Sequence, residues 1–365
     1  MQGKMGKVKR KTLYFIAPRR VEIREETLPA LGAEEVLVET TCSAISAGTE
    51  MLIYQGRFPQ ETSSNLDIDA VISSLRGGLK YPLEFGYACV GRVKETGIQV
   101  DKAWRDKMVF AFQPHTSHFV SRPESLFPVP DTCDPETACF LPNMETAVNL
   151  VQDAAPILGE RVLVFGQGVI GLLTTSLLAE FPLDALVTAD CYKLRREASL
   201  DLDVSNSLDP NSESFQKKVQ EMKHTAAEQH QTNPPHAYTQ RKFDLIFELS
   251  GNPAALNQAF ALTAFSGRII IGSWYGEKRA EIDLGGVFHR SRIKLISSQV
   301  STIAPELSGR WDKKRRFDVA WKALERTKPK KWITHRFAMR QAEEAYRLLD
   351  ENPQEAIQVI FVHQL

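Results

Sequence analysis

The sequence predicts an α/β protein: a mostly β first part followed by a doubly wound parallel sheet. Three observations predict it. Short alternating segments fill roughly the first 140 residues. From residue 143 onward, apolar runs of strand length alternate with helical stretches. One of those runs flows into a glycine-rich turn, "VLVFGQGVIG".

The early segment "EEVLVET" alternates, "CVGRVKET" follows, and "DKMVFAF" and "SHFVSRP" continue the pattern of short strands between turn residues. Later runs differ. "RVLVFG" (161–166), "ALVTAD" (185–190), "FDLIFELS" (243–250), "GRIIIGS" (267–273) and "IKLISSQ" (293–299) are nearly continuous in apolar residues. "VIGLLTTSLLAEF" and "PAALNQAFALTAF" (253–265) read as helices among them. Such strands, separated by helices, belong to a parallel sheet covered on both faces. After residue 300 the chain returns to shorter pieces, a helix in "RQAEEAYRLLDE" and a β-like end, "AIQVIFVH". Residues 209–241 are polar with little to bury and read as a surface excursion with one short helix. His224, His230 and His236 lie six apart there, wrong for one helical face, so a solvated loop is expected rather than a metal site.

At 365 residues, 43% hydrophobic and 25% charged, the chain can fill two ordinary domains. Lys+Arg and Asp+Glu balance at 45 each, so no global field points to nucleic acid or an anionic membrane, and a small molecule is the expected partner. No apolar run approaches the ~20 residues that span a bilayer. The basic start "MQGKMGKVKRK" leads into "TLYFIAP", too short for a signal-peptide core, and reads as a frayed tail. Cys42, Cys89, Cys133, Cys139 and Cys191 form no CxxC pair; an odd, scattered set fits reduced, buried thiols in a cytoplasmic protein.

Gly166, Gly168 and Gly171 hold the G-x-G-x-x-G spacing between an apolar strand and a helix that begins at Val169 and Ile170. Gly166 permits the tight turn, Gly168 lets backbone approach a pyrophosphate, and Gly171 lets helix pack closely on strand. The helix N-terminus then faces the phosphates. Asp190, ending the second apolar run, would accept hydrogen bonds from both ribose hydroxyls and repel a 2′-phosphate. NAD is therefore the expected cofactor; Lys193, Arg195 and Arg196 close behind could tolerate that phosphate and keep NADP open. Ser250, Gly251, Gly272 and Ser273, in "ELSG" and "GSWYG", are expected on the nicotinamide side.

With these pieces the chain resembles the medium-chain dehydrogenase/reductase superfamily, the zinc alcohol dehydrogenase-like group. "GTEMLIYQG", "YPLEFGYACVGRV", "RDKMVFAF", "NMETAVNL", "FDLIFELSGNPAAL", "GRIIIGSWYG" and "HRFAMRQAEEAYRLL" carry the resemblance over nearly the whole length. "SAISAGTE" and "FGYACVGRV" look most like the branch that includes bacteriochlorophyllide (hydroxyethyl) dehydrogenase. The resemblance implies a GroES-like domain from both chain ends (1–145 and 300–365), a central Rossmann domain (146–299, with the polar insertion 209–241) and a cleft between them. It also identifies what is missing. The family's first zinc ligand aligns with Ala47 in Ala47-Gly48-Thr49-Glu50. The second, a histidine, aligns with Tyr87 in Gly86-Tyr87-Ala88, and the third falls near Pro142-Asn143. A catalytic zinc takes three nitrogen, sulfur or carboxylate ligands, so no metal is expected. The four-cysteine lobe for structural zinc is also absent, and Cys42, five residues early and in a strand, reads as core.

Without zinc, hydride transfer needs a proton donor and acceptor made of side chains. The resemblance points to Tyr87 as the acid or oxygen-polarising group, with Thr49 and Glu50 passing the proton onward; His115, in "FQPHTSHF", could serve in their place. The expected activity is zinc-independent, NAD(P)-dependent interconversion of an alcohol and a ketone. A metal-free enone or quinone reductase and a non-catalytic dinucleotide-binding protein are the alternatives. The basic runs "FHRSRIK" and "SGRWDKKRRFD", with His289, Arg290, Arg292 and Arg310, read as solvated faces or as forks for an anionic substrate. A homodimer paired through "IKLISSQV" is expected, as the family usually pairs through the edge strand of its Rossmann sheet.

Overall fold

The computed structural model describes residues 9–58, 80–217 and 242–363. The chain divides into two compact units, Met1–Pro142 with Leu324–Leu365, and Asn143–Ala323.

The first unit begins with β1 (Lys9–Ala17), β2 (Arg20–Thr27) and β3 (Val36–Ala44), then a five-residue helix α1 (Glu50–Tyr54). After it come β4 (Leu83–Glu84), β5 (Cys89–Thr96), β6 (Met108–Ala111), β7 (His118–Ser121), β8 (Phe127–Pro128) and the short helix α2 (Pro135–Ala138). Helix α3 (Leu141–Ala154) carries the first division between units. The second unit follows: β9 (Arg161–Phe165), α4 (Val169–Leu178), β10 (Ala185–Ala189), α5 (Lys193–Leu200), β11 (Asn206–Leu208), β12 (Phe243–Glu248), α6 (Ala255–Leu262), β13 (Thr263–Ile271) and β14 (Lys294–Ser297). Helix α7 (Lys313–Thr327) carries the second division. The chain then completes the first unit with β15 (Ile333–Ala338), α8 (Ala342–Glu351) and β16 (Gln358–Val362).

In the first unit the sheets run β2-β1-β4 and β15-β16-β3-β5-β6-β8, with β7 also paired to β3. The C-terminal strand β16 lies antiparallel against β3, bringing Val362 opposite Cys42 and Phe361 opposite Ser43. This pairing makes one domain of both chain ends. Its core gathers Leu13, Phe15, Ile45, Ile53, Phe85, Tyr346 and Phe361. Cys42 is buried outside that cluster, its thiol 3.4 Å from that of Cys139. All five cysteines are free thiols, and Cys191, expected buried, is exposed.

The basic start is only partly a tail. Lys9, Arg10 and Lys11 belong to β1, where Lys9 pairs with Glu25 (2.5 Å) and Arg10 with Glu26 (2.9 Å) on β2. Cross-strand pairs of opposite charge favour this register. Residues 1–8 lie outside the described residues.

The second unit is one parallel sheet, order β11-β10-β9-β12-β13-β14, in which β9 and β12 are neighbours on either side of the point where strand order reverses. Open α/β sheets bind ligands beyond the carboxyl ends of the strands at such a point. Three details depart from the sequence reading. The helix expected over 253–265 ends at Leu262, because Thr263 already pairs with Phe243 and its hydroxyl turns back onto the Ala259 carbonyl (2.7 Å). The polar segment is not entirely without a buried anchor: Phe215 is buried, edge-on to Phe165 at 6.2 Å. The remainder of that segment, with His224, His230 and His236, lies outside the described residues.

The second division, after Ala323, falls later than the 299/300 boundary drawn from sequence. Arg316 of α7 explains it. Its guanidinium is fully buried and donates to Glu145 Oε1 (3.1 and 2.9 Å), to Asn149 Oδ1 (2.5 Å), and to the carbonyls of Thr302 (3.0 Å) and Val300. Taking any one partner away leaves a buried charge short of compensation, so residues 300–323 stay with α3.

Candidate active site

The second unit presents the dinucleotide turn. Gly166 leaves β9 at φ +86°, a conformation that disfavours a side chain, and a β-carbon there would meet the Leu249 carbonyl oxygen at 2.4 Å. Gly171, in the first turn of α4, sits under the carbonyl of Gly166, where a β-carbon would come within 1.9 Å. Gly168 is the N-cap of α4, followed by Val169 and Ile170 as the first helical residues, and its open side faces only the Arg195 guanidinium, 3.8 Å from where a β-carbon would sit. The Arg195 guanidinium also lies over the Tyr192 ring at 4.8 Å. Asp190 is largely buried at the end of β10. One carboxylate oxygen accepts from the Gln167 amide (2.7 Å) and the other from the Tyr192 amide (2.8 Å). The carboxylate thus ties the glycine turn to the β10–α5 turn. Arg196 is engaged elsewhere, bonding the Asp190 carbonyl (2.7 Å) and Asp209 (3.2 Å).

At the carboxyl end of β12, the residues expected on the nicotinamide side come together around a carboxylate not singled out in the sequence. Glu248 is fully buried. Its Oε1 accepts from the Ser250 amide (2.9 Å) and the Ser250 hydroxyl, and its Oε2 from the Tyr275 hydroxyl (2.5 Å). Burial and the Glu248 carboxylate drive the Tyr275 pKa well up. Gly251 donates its amide to the Ser273 hydroxyl (2.9 Å), and Gly272 donates to the Glu248 carbonyl (3.1 Å) while packing between Leu150 and Leu249.

The first unit holds the groups expected to handle the proton. Tyr87 lies between β4 and β5, and its hydroxyl donates to Ser46 Oγ; the Thr49 side chain also bonds the phenol. Burial, then the nearby Glu50 charge, push the phenol up to about 12 against the opposing pull of the Ser46 and Thr49 hydrogen bonds. Tyr87 is therefore a neutral O–H donor at ordinary pH. Thr49 is the N-cap of α1 and Glu50 its first residue.

Glu50 follows Thr49 in the chain but does not reach the surface. It is fully buried. Its Oε1 accepts from the Ser46 amide (2.8 Å), which fixes the loop carrying Ser46. Its Oε2 accepts from the Tyr346 hydroxyl (2.5 Å) and contacts His115 Nε2 (3.0 Å). His115 is accordingly a partner of Glu50, not a substitute for it. Its other nitrogen meets Ser43 Oγ at 2.7 Å, and Ser43 Oγ lies 3.1 Å from His363 Nε2. Gly86 makes room for this imidazole: φ is +132° and a β-carbon would stand 2.9 Å from the His115 amide nitrogen. Carboxylate, imidazole and serine are linked as in a hydrolase triad, but Ser43 and His115 are completely buried, so no substrate reaches that hydroxyl.

The positions that carry zinc in the resembled family hold Ala47, exposed on the loop, then Tyr87, and the Pro142-Asn143 pair. None offers a thiolate, imidazole or carboxylate, and among the described residues no group of three His, Cys, Asp or Glu side chains is arranged to hold a metal. The donor set does not fit a catalytic zinc. Sequence reasoning missed Ser43, Ser46, Tyr346, His363, Glu248 and Tyr275. Glu248 and Tyr275 lie inside the quoted motifs. Ser43, Ser46, Tyr346 and His363 also lie inside quoted segments, but nothing in their local pattern marks them as polar partners of a buried site.

No family model matches the chain. Among curated proteins it is 23% identical to a sorbitol dehydrogenase from Bacillus subtilis (strain 168) over 73% of this chain and 79% of that protein. It is 24% identical to an alcohol dehydrogenase of Cupriavidus necator over 46% of this chain and 54% of that one. Solved structures align over almost the full length. 2R,3R-butanediol dehydrogenase from Bacillus subtilis matches with TM-score 0.74 at 17% identity, covering 97% of this chain and 100% of the other.

The fold is that of the medium-chain alcohol dehydrogenases.

An alcohol dehydrogenase from E. coli CFT073 complexed with NADH shares this fold with TM-score 0.72 at 19% identity, covering 98% of this chain and 100% of the other. A dehydrogenase from Sinorhizobium meliloti 1021 bound to NADP matches with TM-score 0.70 at 16% identity, covering 98% and 100%. Solved structures of this fold thus include both an NADH and an NADP complex. The turn at Gly166–Gly171 and the strand order of the second unit fit such a cofactor.

Proposed function

We propose that this chain is an NAD(P)-dependent oxidoreductase that interconverts an alcohol and a ketone without zinc. The observation that carries the reading is the phenol of Tyr87 at a position where the resembled family has a zinc ligand, hydrogen-bonded to Ser46. A nicotinamide cofactor supplies or takes the hydride. The chain supplies the rest. Gly168 and the amides opening α4 receive the pyrophosphate, Asp190 takes the ribose side, and Ser250, Gly251, Gly272 and Ser273 shape the nicotinamide side. Tyr87 hydrogen-bonds the substrate oxygen and gives it a proton as the carbonyl is reduced; in the reverse direction the proton returns to the phenol oxygen. Glu50 and His115 are positioning residues that hold the Ser46–Thr49 loop against Tyr87. Asp190 favours NAD, and Arg195 beside Gly168 leaves NADP as a second cofactor.

The test is binding of NAD and NADP by calorimetry, then turnover with a panel of alcohols, ketones, enones and quinones. Tyr87→Phe should lower kcat by about 100-fold or more with the dissociation constant for NAD unchanged. Unchanged turnover at intact NAD binding removes Tyr87 from the mechanism. Turnover with enones or quinones alone turns the reading to hydride delivery onto carbon. Binding of dinucleotide with no turnover on any class turns it to a non-catalytic protein. Stoichiometric zinc in the purified, active protein overturns the metal-free part.

The same reading includes a homodimer. Strand β14 ends the parallel sheet, and Leu295 on it is 38% exposed, which suits strand-to-strand pairing with a second copy. Light scattering checks the mass, and Leu295→Lys should shift it toward the monomer.

A further inference from the structure

Glu50 and His115 belong to a longer chain of groups than positioning alone requires. Glu50 Oε2 meets His115 Nε2 at 3.0 Å, His115 Nδ1 meets Ser43 Oγ at 2.7 Å, and Ser43 Oγ meets His363 Nε2 at 3.1 Å. Each interior member both donates and accepts. Glu50, His115 and Ser43 are fully buried, and the chain ends at His363 Nδ1, a buried nitrogen with no hydrogen-bond partner among the described residues. His363 itself is only half-buried and directly follows β16, the last strand of the first unit.

We infer that Glu50, His115, Ser43 and His363 form a proton wire between the imidazole that follows strand β16 and the carboxylate beside the Tyr87 phenol.

The transfers balance. In the resting tautomers His115 donates its Nε2 proton toward Glu50, Ser43 donates to His115 Nδ1, and His363 donates its Nε2 proton to Ser43. A proton arriving at His363 Nδ1 forms a new N–H bond there, and the His363 Nε2–H bond breaks as that proton passes to Ser43 Oγ. Ser43 gives its original proton to His115 Nδ1, and His115 gives its Nε2 proton to Glu50 Oε2. The net change is one proton taken up and one carboxylate neutralised, with both imidazoles again neutral in the opposite tautomer. No free imidazolium has to be held in the core, where an isolated charge is costly.

Other groups facing the wire are consistent with this. Tyr346 from α8 donates to the same Glu50 oxygen, and the Ser46 amide holds the other. Cys89 from β5 lies against Ser43, its thiol kept protonated by burial. Burial, with His115 and His118 nearby, lowers His363 to about 3, so its imidazole rests neutral. Because the Glu50 charge is one cause of the raised Tyr87 pKa, delivering a proton to Glu50 brings the phenol toward a better acid.

The consequence for catalysis rests on the oxidoreductase reading; the wire itself is tested without it. In protein carrying nitrogen-15-labelled histidine, with no cofactor or substrate added, the His115 Nε2–H signal is assigned by its loss in His115→Gln. Its exchange is then followed after transfer to heavy water. Ser43→Ala and His363→Gln should each slow that exchange by at least about tenfold, since the proton then leaves only by opening of the core. Exchange as fast as wild type, or faster, in either folded variant overturns the wire. If Ser43→Ala does not fold, His363→Gln at the chain edge decides alone. Dinucleotide binding and turnover play no part in the readout, so failure of the proposed activity and failure of the wire are separate results.

Discussion

Among the described residues each unit buries one carboxylate completely, and the pair differ in what reaches them. Glu248 takes a serine amide, the same serine's hydroxyl and a tyrosine hydroxyl. Glu50 takes a serine amide, a tyrosine hydroxyl and a histidine. The partners of Glu248 lie two and 27 residues away along the chain, on the same strand end and beyond the next strand. Those of Glu50 lie as far as 296 residues away, on α8. Glu248 is thus surrounded by groups that hold their protons across the whole working pH range. Glu50 alone has an imidazole, with a second imidazole beyond it. The same burial leaves one carboxylate among serine and tyrosine donors and joins the other to a pair of imidazoles through Ser43.

The largest test of this contrast removes Glu50. Glu50→Ala leaves His115, Tyr346 and the Ser46 amide without an acceptor in a closed core. It should cost about 3–5 kcal/mol in urea unfolding, with Glu50→Gln intermediate because the amide oxygen still accepts. Glu248→Ala should cost less, about 1–3 kcal/mol, since Tyr275 is only half-buried and Ser250 is exposed, so water can take over. Its main effect should be weaker dinucleotide binding in calorimetry. If the two losses are equal, the proposed difference between the sites is wrong.

A pH series separates the sites further. His363 is depressed to about 3 in the folded chain from an ordinary value of 6.5, so below 6.5 the unfolded chain binds the proton that the folded chain refuses. Stability should be unaffected by this group above pH 6.5 and fall as pH drops toward 3, by at most about 1.4 kcal/mol per pH unit. Melting curves between pH 7 and 5 should show a steeper decline for wild type than for His363→Gln. Equal slopes would mean that His363 is not held neutral. The smallest expected change in stability is Gly168→Ala, which has only the Arg195 guanidinium near it and should shift unfolding by about 0.5 kcal/mol or less. Its cofactor affinity should nevertheless drop, because a methyl then stands where the pyrophosphate approaches. Retained affinity would place the cofactor elsewhere.

The second unit was readable to a large extent. Gly166, Gly168 and Gly171 act through backbone geometry within six residues, and strand-length apolar runs have few alternatives to a covered parallel sheet. Where reading failed there, the cause was tertiary: Arg316 reached back to Glu145 and carried residues 300–323 with it. In the first unit, Tyr87, Thr49, Glu50 and His115 were each named, but their relations were not. Whether Glu50 faced solvent beside Thr49 or lay under Gly86 against His115 depends on β16 pairing with β3 and on α8 packing against α1, both from the far end of the chain.

By itself the sequence determined the parallel sheet and the glycine turn that leads from strand to helix, because each follows from residue type and local spacing. Only the tertiary structure decided which carboxylate is buried with a histidine, that Tyr346 shares it, and that Ser43 links two imidazoles. Those contacts join residues tens to hundreds of positions apart, and hydrogen bonds of about 3 Å are set by packing that no local pattern encodes.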